Sequence, residues 1–194
     1  VTDFTFDEAS HVYRLGGRVV PSVTQVLEPL QELEGIPPAI LEVARVFGQH
    51  VHTACALMIE QTLDWSTLDT KLVPYVSAAR QFLKDSNLVI LRSEHRMYDP
   101  KLMFAGTLDV AGMIAKTPWI LDWKSTSVMS RTVGLQLAAY EHLYTLGRTA
   151  GPKLKRGGVQ LRADGTYRLY PYTDARDRNW FLSALNIWHW RQTT

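Results

Sequence analysis

Cysteine is almost missing from this chain: Cys55 is the single one in 194 residues. That excludes a disulfide scaffold, and it excludes any four-cysteine zinc or iron–sulfur site drawn from this chain alone. Long apolar runs are missing too. No stretch approaches the roughly 20 apolar residues of a membrane span, so no membrane partner is expected. The opening Val-Thr-Asp-Phe-Thr-Phe lacks the basic then apolar pattern of a signal peptide. A reducing, cytoplasmic setting is therefore the expectation. Repeats, low-complexity tracts and linkers are absent. With 46% apolar and 21% charged residues, the composition is that of an ordinary globular protein. The reading is one domain over residues 1–194, long enough for a full hydrophobic core. Net charge is only +2, but it is uneven. Residues 131–194 carry 10 Lys/Arg against 4 Asp/Glu, whereas residues 1–130 carry 11 against 15. A basic C-terminal third suits either a polyanion partner or a solvated basic surface.

Against those absences the patterning is clear. Phe4 to Val20 reads as a hairpin turning at Gly16-Gly17, and Pro21 ends it. Ser22 or Thr24 suits the cap of a short helix through Val26 and Leu27. Pro37-Pro38 opens a long helical pattern in which Leu41, Ala44, Gly48, His52, Cys55 and Ile59 fall in step. Pro74 opens another, with Tyr75, Ala78, Ala79, Phe82 and Leu83 on one side. Leu88 to Tyr98, Phe104 to Ile114 and Pro118 to Lys124 read as three strands, with turns at Asp99-Pro100 and Ala115-Lys116-Thr117. Val133 to Leu146 is helical. Val159 to Tyr172 reads as a hairpin around Ala163-Asp164-Gly165. Asp174 is expected to cap a last helix carrying Phe181, Leu185 and Trp188. Strands clustered between helices predict an α/β fold around one central mixed β-sheet flanked by helices.

The chemistry concentrates in two adjacent strands. Asp109 lies early in one, after Ala105-Gly106. Asp122 and Lys124 end the next. Residues two apart on a strand share a face, so Asp122 and Lys124 project together, and strand adjacency brings Asp109 close. Two converging carboxylates repel unless a cation sits between them, and oxygen ligands select Mg²⁺ or Mn²⁺. Lys124 then stands beside the cation, placed to orient an attacking water or to balance transition-state charge. Alone, Asp-x-Lys is weak, since about 0.6 such triplets are expected by chance in this length. Its placement after the apolar Trp119-Ile-Leu run raises its weight, because buried charges are costly unless paired or liganded.

At this point the chain resembles a known family, the RecB-type branch of the PD-(D/E)XK nucleases. The resemblance rests on Gly106-x-x-Asp109, Asp122-x-Lys124, Gln136-x-x-x-Tyr140 on the following helix, and Gly48-x-x-x-His52 upstream. His11-Val-Tyr13 and Pro21-Ser-Val-Thr24 are similar to the opening of small phage-type exonucleases. Together the motifs span about residues 7 to 146, in the family's order. The resemblance implies a PD-(D/E)XK restriction-endonuclease-like core in a bacterial or phage-infected cell. The implied activity is Mg²⁺- or Mn²⁺-dependent hydrolysis of DNA, with an exonuclease favoured, in repair, recombination or phage DNA processing. A single-strand-annealing protein or a helicase is the kind of partner it implies. Carried over residue by residue, Asp109 and Asp122 are metal ligands, joined by the backbone carbonyl of Trp123 and by His52 as ligand or polar neighbour. Lys124 is the catalytic lysine, and Gln136 and Tyr140 face the site. One-turn spacing puts Gln136 and Tyr140 on the same helix face independently. Asp in place of Glu before x-Lys is usual in this branch. Members with an iron–sulfur cluster need four cysteines, which this chain lacks. Exonuclease, structure-specific or restriction-like endonuclease, RNA-directed enzyme and non-catalytic DNA-binding module all remain open on residues alone.

Other residues carry weaker expectations. Glu94, in Ser93-Glu94-His95-Arg96, is either a further metal ligand or an exposed edge charge. Ser125 and Thr126 suit phosphate contacts, with turn chemistry the alternative. Lys153, Lys155 and Arg156 form a basic cluster before the last hairpin, either a phosphate grip or a solvated loop. Gly48, costly by about 1 kcal/mol within a helix, suggests tight packing or phosphate access. Trp180, Trp188 and Trp190 are expected to pack in the core rather than stack on bases.

Overall fold

Two sheets form the frame of the computed structural model, which describes residues 3–8, 10–31, 35–148 and 152–193. The small sheet is antiparallel, with β1 (Phe4–Asp7), β2 (Val12–Leu15) and β3 (Arg18–Val20) in that order. The expected hairpin is thus its second half, and Phe4–Asp7 adds a strand on the far side of β2. The large sheet is mixed, in the order β4 (Val89–Asp99), β5 (Phe104–Ile114), β6 (Thr117–Lys124), β7 (Lys155–Leu161) and β8 (Tyr167–Tyr172). Neighbours are antiparallel except β6 and β7. Parallel neighbours need a crossover, and helix α4 (Thr132–Thr145) supplies it.

Helices cover both faces of the large sheet. On one face lie α2 (Pro38–Ile59) and α3 (Val73–Ser86). Val51, Cys55, Val76, Ala79 and Phe82 pack there on Val110, Trp119, Leu121, Trp123 and Val159. On the other lie α1 (Val23–Leu27), α4 and α5 (Asp177–Arg191). Val23, Leu137, Tyr140, Phe181 and Leu185 pack there on Phe104, Leu108 and Ile120. The mixed α/β architecture, a five-stranded mixed central sheet flanked by helices, is as the sequence predicts. Ser22 caps α1 with a full capping box, its hydroxyl accepting from Gln25 N–H while Gln25 Oε1 accepts from Ser22 N–H. No helix among the described residues is long and apolar enough to cross a membrane.

Several expectations need correction. Asp174 does not cap α5. Its carboxylate accepts from the backbone N–H and guanidinium of Arg176, and the helix starts at Asp177. Asp109 is mid-strand rather than early in β5. In α2 only the C-terminal half is buried: Ala44 is exposed, Leu41 is half-buried, and Ile40 and Val43 face solvent. Of the C-terminal tryptophans only Trp188 joins a core; Trp180 and Trp190 are exposed. Lys155 and Arg156 do not precede the last hairpin but begin its first strand.

Candidate active site

Strand pairing between β5 and β6 runs from Ile114–Thr117 to Val110–Leu121. Asp109 and Asp122 are the next residues beyond that last pair. Side-chain alternation slips at the same level. Leu108 and Ala111, three apart, face the same core, and Val110 faces the other. On β4, between the pairs Ser93–Val110 and His95–Leu108, Glu94 has φ 45°. Irregularities of this kind re-aim side chains, and they are tolerated where the surroundings over-determine them.

Residues from both layers meet in this split. Asp109 Oδ2 accepts from the Trp123 N–H at 2.7 Å, and Asp109 Oδ1 lies 3.1 Å from His52 Nδ1 on α2. Lys124 Nζ lies 2.7 Å from Asp122 Oδ2 and donates to Gln136 Oε1 at 3.0 Å. Gln136 Nε2 in turn donates to Asp122 Oδ1 at 2.9 Å and to Tyr140 Oη at 3.2 Å. One side chain thus fixes Asp122, Lys124 and Tyr140 together. Gly106 makes room for that arrangement, since a Cβ there would lie 2.9 Å from Tyr140 Cε1 and 3.0 Å from Val23 Cγ2.

Burial makes the electrostatics strong. Asp122 is 1% exposed and Asp109 6%. Burial pushes both carboxyls up, but the outcomes differ. His52, Lys124 and the Trp123 N–H hold Asp109 below the ordinary range. Asp122 stays above it, because Lys124 does not offset both burial and the neighbouring Asp109 charge. Glu94 is pushed up to about 7, by burial first and then by Asp109. Burial works against a charged His52, yet Asp109 and Asp122 push it up to about 9. Burial and the two aspartates push the Tyr140 phenol well up. Carboxylates forced apart in this way mark sites able to bind cations or move protons.

Among the described residues, no three His, Cys, Asp or Glu side chains form a ready metal cage. Both Asp109 oxygens and Asp122 Oδ1 are engaged by protein donors. The donor set still fits a hard divalent ion. Asp122 Oδ2 is buried and, although it touches Lys124, receives no aligned hydrogen bond. Each engaged carboxylate oxygen also keeps a free lone pair.

The other expected residues fall around and away from this centre. Ser125 lies near Gly48, where a Cβ would meet its Oγ at 3.8 Å. That is ordinary contact, so the tight packing expected of Gly48 is not found. The Thr126 hydroxyl donates to the Val128 carbonyl, which is turn chemistry. Arg156 is not a free phosphate grip. It is 7% exposed, with its guanidinium set among Glu141, Asp177 and the carbonyls of Gly134 and Asp174. Lys153 and Lys155 lie toward the opposite end of β6, level with Trp119 rather than Asp122. The sequence reading missed one pair. Asp99 Oδ2 accepts from His142 Nε2 at 2.7 Å, while Asp99 Oδ1 takes the N–H groups of Lys101 and Leu102. The only signal was an aspartate at a turn, and nothing in it pointed to a histidine on a helix 43 residues on.

No known family matches the chain by sequence, and no curated protein matches it. Among solved structures, the alkaline exonuclease LHK-Exo from Laribacter hongkongensis is similar over 88% of this chain and 86% of its own, at 10% identity and a TM-score of 0.39. The same protein in complex with dAMP gives 89% and 87%, again at 10% and 0.39. Likeness this faint transfers nothing, so function rests on the residues themselves.

Proposed function

We propose that the chain is a metal-dependent DNA nuclease, a phosphodiester hydrolase of the PD-(D/E)XK class with an exonuclease favoured. One observation carries this reading: buried Asp109 and Asp122 converge with half-buried Lys124 where β5 and β6 part, and Gln136 locks two of the three. Asp109, Asp122 and the Trp123 carbonyl would hold Mg²⁺ or Mn²⁺, with His52 and Glu94 at its margin. When bound, the ion supplies Lewis acidity at the scissile phosphate and a more acidic water.

The protein's own groups do the rest. Lys124 brings a positive charge to where the phosphorane-like transition state gains negative charge. Gln136 fixes the ammonium beside Asp122, because its Oε1 accepts from Lys124 while its Nε2 donates to Asp122 Oδ1. Tyr140 anchors Gln136 by accepting from its Nε2, and burial and the two aspartates push its phenol up, which disfavours it as a base. Ser125, which follows Lys124, is a candidate to steady the DNA backbone, whereas the Thr126 hydroxyl is already engaged in the turn.

The test is hydrolysis of end-labelled linear DNA with Mg²⁺ by the wild type, Lys124→Ala and Asp122→Ala. Loss in both variants is expected, and full activity in both would sink the assignment. A covalently closed circle that stays intact supports the exonuclease, whereas a cut circle favours the endonuclease.

A further inference from the structure

A cavity of 780 Å³ opens beside the starts of β6 and β7, walled by α4 and by the segment that leads into α5. Its size falls within the range of about 300–1,000 Å³ usual for small-molecule sites. Trp119 marks its level on β6, three residues from Asp122, which at about 3.3 Å per residue is roughly 10 Å along the strand. Leu146, Leu154, Pro171 and Tyr172 give it an apolar and aromatic wall.

The ionised groups of this wall divide into two sets. Arg156 is balanced by Glu141 and Asp177, each at 3.3 Å. The second set is Lys153, Lys155 and Arg178, and among the described residues none of them has a carboxylate partner. Lys155 Nζ lies over the Trp119 ring, 5.3 Å from its centroid. Arg178 Nη2 reaches only His142 Nδ1, at 3.1 Å. Lys153 is exposed at the rim. Three unbalanced cations around one concave, largely apolar space repel each other, and a compact dianion among them removes that repulsion. A phosphate monoester carries about −1.5 to −2 near neutral pH. Lysine meets it as a point charge and arginine with a two-pronged hydrogen bond. The aromatic wall asks for a flat body attached to that phosphate.

We propose that this cavity binds a nucleoside monophosphate, with its phosphate among Lys153, Lys155 and Arg178 and its base against Tyr172 and Leu146. The site needs no metal and does not depend on the nuclease reading.

Calorimetric titration of the full chain in EDTA tests it, with adenosine 5′-monophosphate, adenosine and inorganic phosphate as separate probes. The expected result is saturable one-to-one binding of the monophosphate. Adenosine and inorganic phosphate should each bind at least about tenfold more weakly. Lys153→Glu and Arg178→Glu should each weaken the monophosphate by at least about tenfold, and added salt should weaken it further. Lys153 is exposed, so its variant keeps the test valid even if replacing Arg178 disturbs His142. Asp122→Asn should bind like the wild type. Absence of binding at millimolar monophosphate overturns the proposal. So does binding lost in Asp122→Asn but kept in Lys153→Glu, which would place the ligand at the carboxylate centre. Equal binding of inorganic phosphate would remove the nucleoside from the assignment and overturn it in that form.

Discussion

Helix α4 serves two polar regions of opposite character. At Gln136 and Tyr140 it faces the carboxylate centre, where two buried aspartates are interlocked with Lys124 and Gln136 and are pushed in opposite directions from their ordinary proton affinity. Through Ala138, Glu141, His142 and Thr145 it faces the 780 Å³ cavity, where three exposed cations go unbalanced and the buried Arg156 sits between Glu141 and Asp177. The first arrangement has the features of a place where charge is managed at fixed geometry, as bond breaking requires. The second has the features of a place that waits for a mobile anion. The difference teaches that burial and pairing, rather than the number of charged residues, separate a reaction centre from a binding surface.

The comparison can be broken most severely at the carboxylate centre. Replacing Lys124 by Ala should lower DNA hydrolysis on the order of 10³-fold, the scale of losing one preorganised transition-state contact. Single-turnover rates on linear DNA read this directly, and a loss under tenfold would reduce Lys124 to an ordinary ion pair.

Next in size is a buried pair at the cavity wall, Asp99 with His142. Asp99 and its partner His142 are 3% and 11% exposed in their side chains. His142→Ala leaves a buried carboxylate with only its backbone donors, at a cost of about 3 kcal/mol measurable by denaturant unfolding. Its pH signature follows from the sign of the shift. Burial alone would raise the Asp99 carboxyl, but His142 and two N–H groups hold it below the ordinary value. A carboxyl lowered in the folded state contributes fully above its unfolded value of about 3.9. That contribution fades as pH falls through the lowered folded value. Melting between pH 5 and pH 2 should therefore fall more steeply in wild type than in Asp99→Asn. Parallel curves would contradict the account.

A smaller effect sharpens the link between packing and site. Gly106→Ala puts a methyl against Tyr140 and Val23, so stability should drop by about 1–3 kcal/mol. Hydrolysis should drop with it, because Tyr140 carries Gln136. A variant that loses stability but keeps its full rate per folded molecule would uncouple the two. Smallest of all should be Glu42→Gln. Its pair with Arg45 is exposed on the outer half of α2, and neither stability nor hydrolysis should change measurably.

Much of this was legible in the chain because it is local. Two-residue periodicity put Asp122 and Lys124 on one face, one-turn spacing put Gln136 and Tyr140 on another, and the glycine before Asp109 marked a close approach. What was not legible depends on contacts between distant elements. The split between β5 and β6 and the positive φ of Glu94 arise from how three strands meet. No propensity of one segment encodes that. Arg156 read as a free cation because its partners, Glu141 and Asp177, come from two other helices. Asp174 read as a helix cap from its place just before the last helical pattern, and only the fold shows Arg176 occupying its carboxylate. The aspect most poorly read was exposure. Trp180, Trp190 and the first turns of α2 have core-like residues at solvent positions.

One measurement reaches the central claim most directly. Mn²⁺ binding and DNA cleavage are followed together in wild type, Asp122→Asn and Lys124→Ala, each checked for wild-type circular dichroism. The account predicts that Asp122→Asn loses both, whereas Lys124→Ala still binds Mn²⁺ and fails to cleave. Cleavage at the wild-type rate by folded Asp122→Asn, or by Lys124→Ala at full metal occupancy, would contradict it.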